Sequence, residues 1–301
     1  MTLQTETVSL PVRAPSRFAW RLAALRSRGF PLIPVLILAG VGFVALFANV
    51  LAPHNPEVGS LAARFKPPFW QTGGSTKYLL GTDQLGRDVL SRLIFGARVS
   101  VVVGFTAVII AGFVGTALGI ISGYLGGWVD QVVMRVTDAW LALPSLVFAI
   151  FLAALLGPGV LNIIIVFGLI YWTRYARVMR GEVLSLRERD FVRLAQVAGL
   201  GHWKIIVRHI IPNVLNTWMV LASLTVGVVI ITEASLSFLG LGVPPPTPAW
   251  GLMLAEARRT LMGGQWWLTV LPGLCISVVV LAANLFGDWM RVRLDPRQRN
   301  L

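Results

Sequence analysis

The chain has 301 residues, of which 56% are hydrophobic and only 13% charged, and its mean hydropathy is +0.75. A soluble domain is typically about 25% charged, so this balance points to lipid surroundings. Cys275 is the only cysteine and lies in an apolar run, which excludes an intrachain disulfide and a thiolate metal cluster. His54, His202 and His209 are too scattered for metal-ligand spacing, so no metal site is expected. The formal net charge of +13 raises nucleic acid as a partner. No basic-aromatic module supports that reading, and excess Arg in a membrane protein marks the cytoplasmic side, so no nucleic acid is expected.

A helix crossing the hydrocarbon core needs about 20 mainly apolar residues. In chain order, the predicted spans are 31–51, 101–121, 139–156, 160–177, 210–232 and 266–287. The first is too long for a typical signal-peptide core, with no clear cleavage site after it, and is read as a retained span. The third and fourth share one uncharged stretch, Ala139 to Thr173, which is divided at Gly157-Pro158-Gly159. Arg174 and Arg177 extend the fourth toward the headgroups. The expected fold is an all-α membrane protein of six transmembrane helices. It comprises a polar segment 1–30, a transmembrane domain 31–289 and a tail 290–301.

Arg13, Arg17, Arg21, Arg26 and Arg28 place the N-terminus in the cytoplasm, and six spans return the C-terminus there. The long loop and the tail are then inside and basic. The first outside loop, with Arg64, Lys66, Lys77, Arg87, Arg92 and Arg98, is more basic than the rule prefers. Trp128, Trp172, Trp266, Trp267 and Trp289 fall near predicted span ends, as an aromatic belt requires.

Within the first outside loop, Thr82-Asp83 is read as the cap of a short amphipathic helix running to about Arg98, with Asp88 and Arg92 paired at i,i+4. The last outside loop holds Leu236–Gly242 and then Pro244-Pro245-Pro246, a segment that either lines a pathway or merely turns the chain. Asp138, Glu233 and Asp288 are the only acids near the spans; Asp138 is expected to pair with Arg135.

The loop from 178 to 213 is the most informative segment. Asp190 is read as the cap of a helix bearing Leu194, Ala195 and Ala198, Gly199-Leu200-Gly201 interrupts it, and His202 to Ile211 resumes before Pro212. Two short helices at a Gly bend make an elbow suited to a groove on another protein. The alternative is a solvated basic loop held near anionic lipid. No G-x-x-x-x-G-K-[ST] phosphate loop and no hydrolase or zinc motif occurs, so the chain is expected to bind no cofactor and catalyse nothing. With almost no ionisable residue inside the spans, it reads as a transport path without its own engine.

Three stretches carry a resemblance. Leu80-Gly81-Thr82-Asp83-Gln84-Leu85-Gly86-Arg87-Asp88-Val89-Leu90-Ser91-Arg92 is the first. Leu236–Gly242 with Pro245-Pro246-Thr247-Pro248-Ala249-Trp250-Gly251 is the second. Asn284-Leu285-Phe286-Gly287-Asp288-Trp289-Met290-Arg291, continuing to Leu294-Asp295-Pro296-Arg297, is the third. From about Phe30 onward the chain resembles the C-type permease subunits of dipeptide/oligopeptide/nickel ABC importers.

The resemblance implies a type I importer permease in the bacterial cytoplasmic (inner) membrane, paired with a second, homologous permease subunit. Two ATPase subunits carrying ATP and Mg, and an extracytoplasmic solute-binding protein, complete the machine. The long loop then resembles the ATPase-coupling loop, through Ala195, Gly199, His209, Pro212 and Asn213, and the implied coupling residues also take in Arg193, Ala198, Leu200 and Gly201. It departs where Arg193 and Leu194 occupy the usual Glu and Ala positions. Asp83, Gly86, Arg87, Asp88, Glu233, Ser237 and Gly240 are the implied outer-face or gating residues. Pro67-Pro68-Phe69-Trp70 with Gly73-Gly74-Ser75 resembles dipeptide-type members; nickel, opines, glutathione and some sugars are the family's other substrates. A secondary transporter is the distant alternative, and it predicts intramembrane charges and an internal repeat.

Overall fold

The computed structural model describes residues 30–260 and 263–294; the five N-terminal arginines and the Asp295-Pro296-Arg297 part of the third motif lie outside them. The described residues are helical, with two isolated bridges and no strand. The helices are α1 (Leu32–Leu46), α2 (Ala48–Leu51), α3 (Val89–Leu125), α4 (Gly127–Leu141), α5 (Ser145–Leu156), α6 (Val160–Arg187), α7 (Asp190–Val197), α8 (His202–Phe238), α9 (Trp250–Ala257) and α10 (Trp267–Leu294). By length and apolarity α3, α8 and α10 can each cross a membrane, and α4 with α5 passes that test as one bent pair.

Helices overlap each of the predicted segments, but four boundaries differ for definite reasons. The short helix before span two does not exist separately. It is the first turns of the 37-residue α3, whose cap is Asp88 accepting from the Ser91 amide at 3.0 Å, not Thr82-Asp83. Span three is not a helix from Ala139. α4 begins at Gly127, stops at Leu141, and α5 leaves at 89° after Pro144, which has no N–H to continue the ladder. The predicted break at Gly157-Pro158-Gly159 does end α5, with positive φ at Gly157 and Gly159. Span four continues ten residues beyond Arg177 to Arg187, so the loop proper is shorter than 178–213.

The fifth span starts at His202 and passes straight through Pro212. Residues Ile206–Ile210 adopt π-helical geometry just before it. The wider turn accommodates a residue that cannot donate to the carbonyl one turn back.

The centre of the bundle is the pairing of α3 with α6. Gly115 lies against Trp172 and Tyr175, Gly119 against Ala176 and Met179, and Gly123 against Arg180 and Val183. Both sets of numbers rise together, so the two helices run in the same direction with their backbones in close approach. Small residues at every fourth position permit this in lipid, where packing rather than water exclusion drives association. Val166, Phe167, Tyr175 and Met179 fill the adjoining core together with Val103 and Ala111.

Candidate functional site

At one end of the bundle the sequence between α2 and α3 folds back on itself. Gly86 takes φ of +72°, and a Cβ there would stand 1.9 Å from the Ser60 carbonyl oxygen, so only glycine closes this turn. The Asp83 carboxylate accepts from the backbone amides of Leu85 (2.8 Å) and Arg87 (2.9 Å) and from Arg87 Nε (2.6 Å). Arg92 Nη1 also donates to Asp83, and to Glu256 Oε2 at 2.7 Å. Arg87 Nη2 reaches both Glu256 oxygens, at 3.0 and 2.9 Å.

Two guanidiniums thus face two carboxylates in a site where Asp83, Arg87 and Arg92 are all buried. Asp88 does not pair with Arg92 as expected. It is occupied by Ser91, whose Oγ donates at 2.6 Å, and stands 3.4 Å from His54 Nδ1. Arg98 donates to the Ala45 carbonyl at 2.9 Å. Half of the basic residues in this loop are therefore structural, which accounts for much of its excess charge.

Glu256 was not picked out from the sequence, and α9 was missed with it. The available signal was that Glu256 is the one acid between Val243 and Trp266. α9 is the bridge between the first two motifs. Trp250 Nε1 donates to the Leu93 carbonyl at 3.0 Å, Gly251 sits against Ala234, and Glu256 closes the ion-pair cluster.

Beside it, Ser237 Oγ donates to Glu233 at 2.7 Å, and the Val243 amide donates to Ser237 Oγ at 3.3 Å. Glu233 is 1% exposed. Gly240 ends α8 with φ of +81°. Asp83, Gly86, Arg87 and Asp88 thus form one cluster, while Glu233, Ser237 and Gly240 form another, joined to the first through α9.

At the opposite end, α7 and the start of α8 form the elbow. Asp190 is the first residue of α7 and makes no side-chain cap, contrary to expectation; it acts only as an acid in the first turn. Gly199 has φ of +77°, and the Leu200 amide donates to the Ala195 carbonyl at 3.1 Å, the usual closure of a helix by a left-handed residue. Gly201 has φ of −64° and needs no special backbone.

Val192 and Ala195 point inward, whereas Leu194, Val197 and Trp203 are 67%, 86% and 74% exposed. Ala198 and Gly199 are exposed between them, and Leu200 packs partly against the core. The His209 carbonyl accepts from Asn213 at 2.7 Å, and its ring lies 6.2 Å from Phe191. Pro212 borders an open groove of about 600 Å³ with Leu200, Trp203, Lys204, Val207 and Arg208.

The elbow is braced from behind. Tyr124 OH meets His202 Nδ1 at 3.1 Å, and Arg187 Nη1 donates to the Tyr124 carbonyl at 3.1 Å. Arg180 grips Asp130 with two bonds of 2.5 Å. Arg193 pairs with Glu188, and its guanidinium holds that carboxyl below the usual carboxylate range. A depressed carboxylate pKa adds stability at neutral pH that is lost as the pH falls through it, but both side chains are exposed and the contribution is small. Asp138 pairs with Arg177 from α6 rather than with Arg135.

The profile of the family described as "Binding-protein-dependent transport system inner membrane component" matches residues 115–300. The chain belongs to this family. Such permeases are non-catalytic membrane components of transporters, found in the inner membrane and working with membrane-embedded, ATPase and binding-protein partners. This permease is 42% identical over 295 residues to the dipeptide transport system permease protein of Escherichia coli (strain K12), covering 98% of this chain and 97% of that one. It is 41% identical over 266 residues to the di/tripeptide transport system permease protein of Pseudomonas aeruginosa (strain UCBPP-PA14), covering 88% of each. It is 36% identical over 289 residues to the glutathione transport system permease protein of Pectobacterium atrosepticum, covering 96% of this chain and 93% of that one.

Proposed function

We propose that this permease is one of two different membrane subunits of an ATP-driven importer of di- and oligopeptides. Six crossings with both termini in the cytoplasm put the elbow inside and the Asp83–Glu256 cluster outside. Two ATPase subunits holding ATP and Mg engage the elbows, and a solute-binding protein delivers peptide at the outer face.

The observation that carries this reading is the elbow itself. Leu194, Val197 and Trp203 present apolar side chains around a small-residue tip whose shape is fixed by Gly199 and braced by Tyr124 and Arg187. Apolar groups clustered on a rigid exposed turn are suited to a groove on a partner. Coupling follows if seating differs in free energy between the two states of the path, since only differential interaction shifts an equilibrium. Arg193, paired with Glu188 of its own chain, stands where the family pattern has a carboxylate, so the polar contacts of this docking surface are expected to differ there. The peptide substrate is supported by the similarity to the dipeptide and di/tripeptide transport permeases.

Vesicles holding the assembled complex and its binding protein should concentrate dipeptide when ATP is hydrolysed. With a non-hydrolysable analogue no accumulation should occur. Accumulation driven by an ion gradient alone would favour a secondary transporter instead.

A further inference from the structure

The chain bends by 89° between α4 and α5. Trp140, one residue before the end of α4, donates through Nε1 to the Leu169 carbonyl of α6 at 2.6 Å. Leu169 is nine residues into α6, about 14 Å along the helix, which is near half of a hydrocarbon core of about 30 Å. Ala142, Leu143 and Pro144 are nevertheless exposed. Non-helical backbone at that depth is stable only when buried in protein or lining a wet cavity.

A cavity of about 390 Å³ is found here. Trp140, Phe148 and Tyr171 supply aromatic walls, and Ser145, Thr173 and Arg174 also line it. Arg177, on the same wall, is paired with Asp138. Arg174 has no acid within ion-pair distance among the described residues. Arg174 is exposed about 21 Å down the helix, short of the far face of a core of about 30 Å, where a guanidinium needs water, a headgroup or an anion that visits it.

We propose that this cavity is a subsite of the translocation path in which Arg174 takes the carboxylate of a passing short peptide. The inference rests on the import of peptides proposed above. Its size is at the lower end of the usual range for small-ligand pockets, which suits a peptide of two or three residues. The Trp140 and Phe148 rings, 5.3 Å apart and edge to face, give side chains of varied shape a surface without a specific hydrogen-bond demand. A broken helix lining a mid-depth cavity is also how other transporters expose polar backbone to substrate. The subsite would hold what all peptides share and leave side-chain choice to the delivering protein.

The test places the photo-crosslinking residue p-benzoylphenylalanine at Leu143, on the cavity rim, in the assembled complex in vesicles. Radiolabelled dipeptide, binding protein and ATP are supplied during illumination. The expected result is a labelled adduct on this chain. Arg174→Gln is expected to lower its yield about tenfold or more, the worth of a hydrogen bond to a charged group, with Arg174→Lys retaining part of it. The same probe at Val178, across the cavity, serves where substitution at Leu143 stops import. A complex that imports the dipeptide but gives no adduct at either position overturns the subsite, as does an adduct indifferent to Arg174→Gln. A lipid adduct alone, in an importing complex, assigns Arg174 to a headgroup and overturns it too. Failure of the unmodified complex to import any peptide strikes at the importer reading instead.

Discussion

Replacing Glu256 with alanine is expected to destabilise the isolated permease by about 3 kcal/mol, read as a clear fall in its thermal midpoint in detergent. The carboxylate receives three hydrogen bonds from Arg87 and Arg92. Both arginines are almost fully buried, and without Glu256 only Asp83 is left to balance them. An uncompensated buried charge costs more than the pair itself contributes, so removing one partner is worse than removing both. The double variant Glu256→Ala, Arg87→Met should therefore recover part of the loss. An unchanged midpoint in Glu256→Ala would show that solvent, through the 17% exposure of that side chain, already screens the cluster.

The second large effect is expected at Gly115. A Cβ there would stand 2.1 Å from the Trp172 carbonyl oxygen and 2.7 Å from Tyr175 Cβ. Neither neighbour is the free end of a flexible side chain, so Gly115→Val must push α3 and α6 apart along their whole contact. Overpacking of a tight core costs about 1–3 kcal/mol or more, and this contact is backbone on backbone. Gly104→Ala is the control, because its added Cβ would meet Ile230 Cγ1 at an ordinary 3.4 Å. Thermal midpoints should separate the two variants widely, and equal midpoints would mean that the α3–α6 approach is not what holds the bundle.

These residues show which parts of the molecule were legible in the sequence. Apolar length and charge placement were enough to find α3, α8 and α10, because hydrocarbon thickness imposes the same demand on every crossing helix. Gly157 and Gly199 were legible because their backbone angles are needed locally. Pro144 is a local signal too, and the bend that it makes lies inside the predicted span 139–156.

The ion-pair cluster was not legible. Arg92 and Glu256 are separated by 164 positions, and no short-range pattern reports such a pairing. Asp88 and Arg92 had the spacing of a helical pair, yet tertiary partners won: Ser91 took the acid and Asp83 with Glu256 took the base. The extra turns of α6 are likewise settled by packing against neighbours rather than by composition, with Met179, Val183 and Leu186 buried along them.

In the proposed importer, the elbow at Gly199 transmits ATP hydrolysis to the path. No atom lies within 4 Å of a Cβ added at Gly199, so a substitution there strains only the left-handed backbone, by about 1–2 kcal/mol. A Cβ at Gly201 also meets nothing and has no such strain. The most direct measurement is the amount of dipeptide imported per ATP hydrolysed by the reconstituted complex, for Gly199→Val against the unmodified chain and Gly201→Ala. Deforming the turn should lower that ratio about tenfold, as expected when 1–2 kcal/mol of seating energy is lost, while hydrolysis continues. Gly201→Ala should leave it near the unmodified value. An unchanged ratio in Gly199→Val would contradict the elbow as the coupling element.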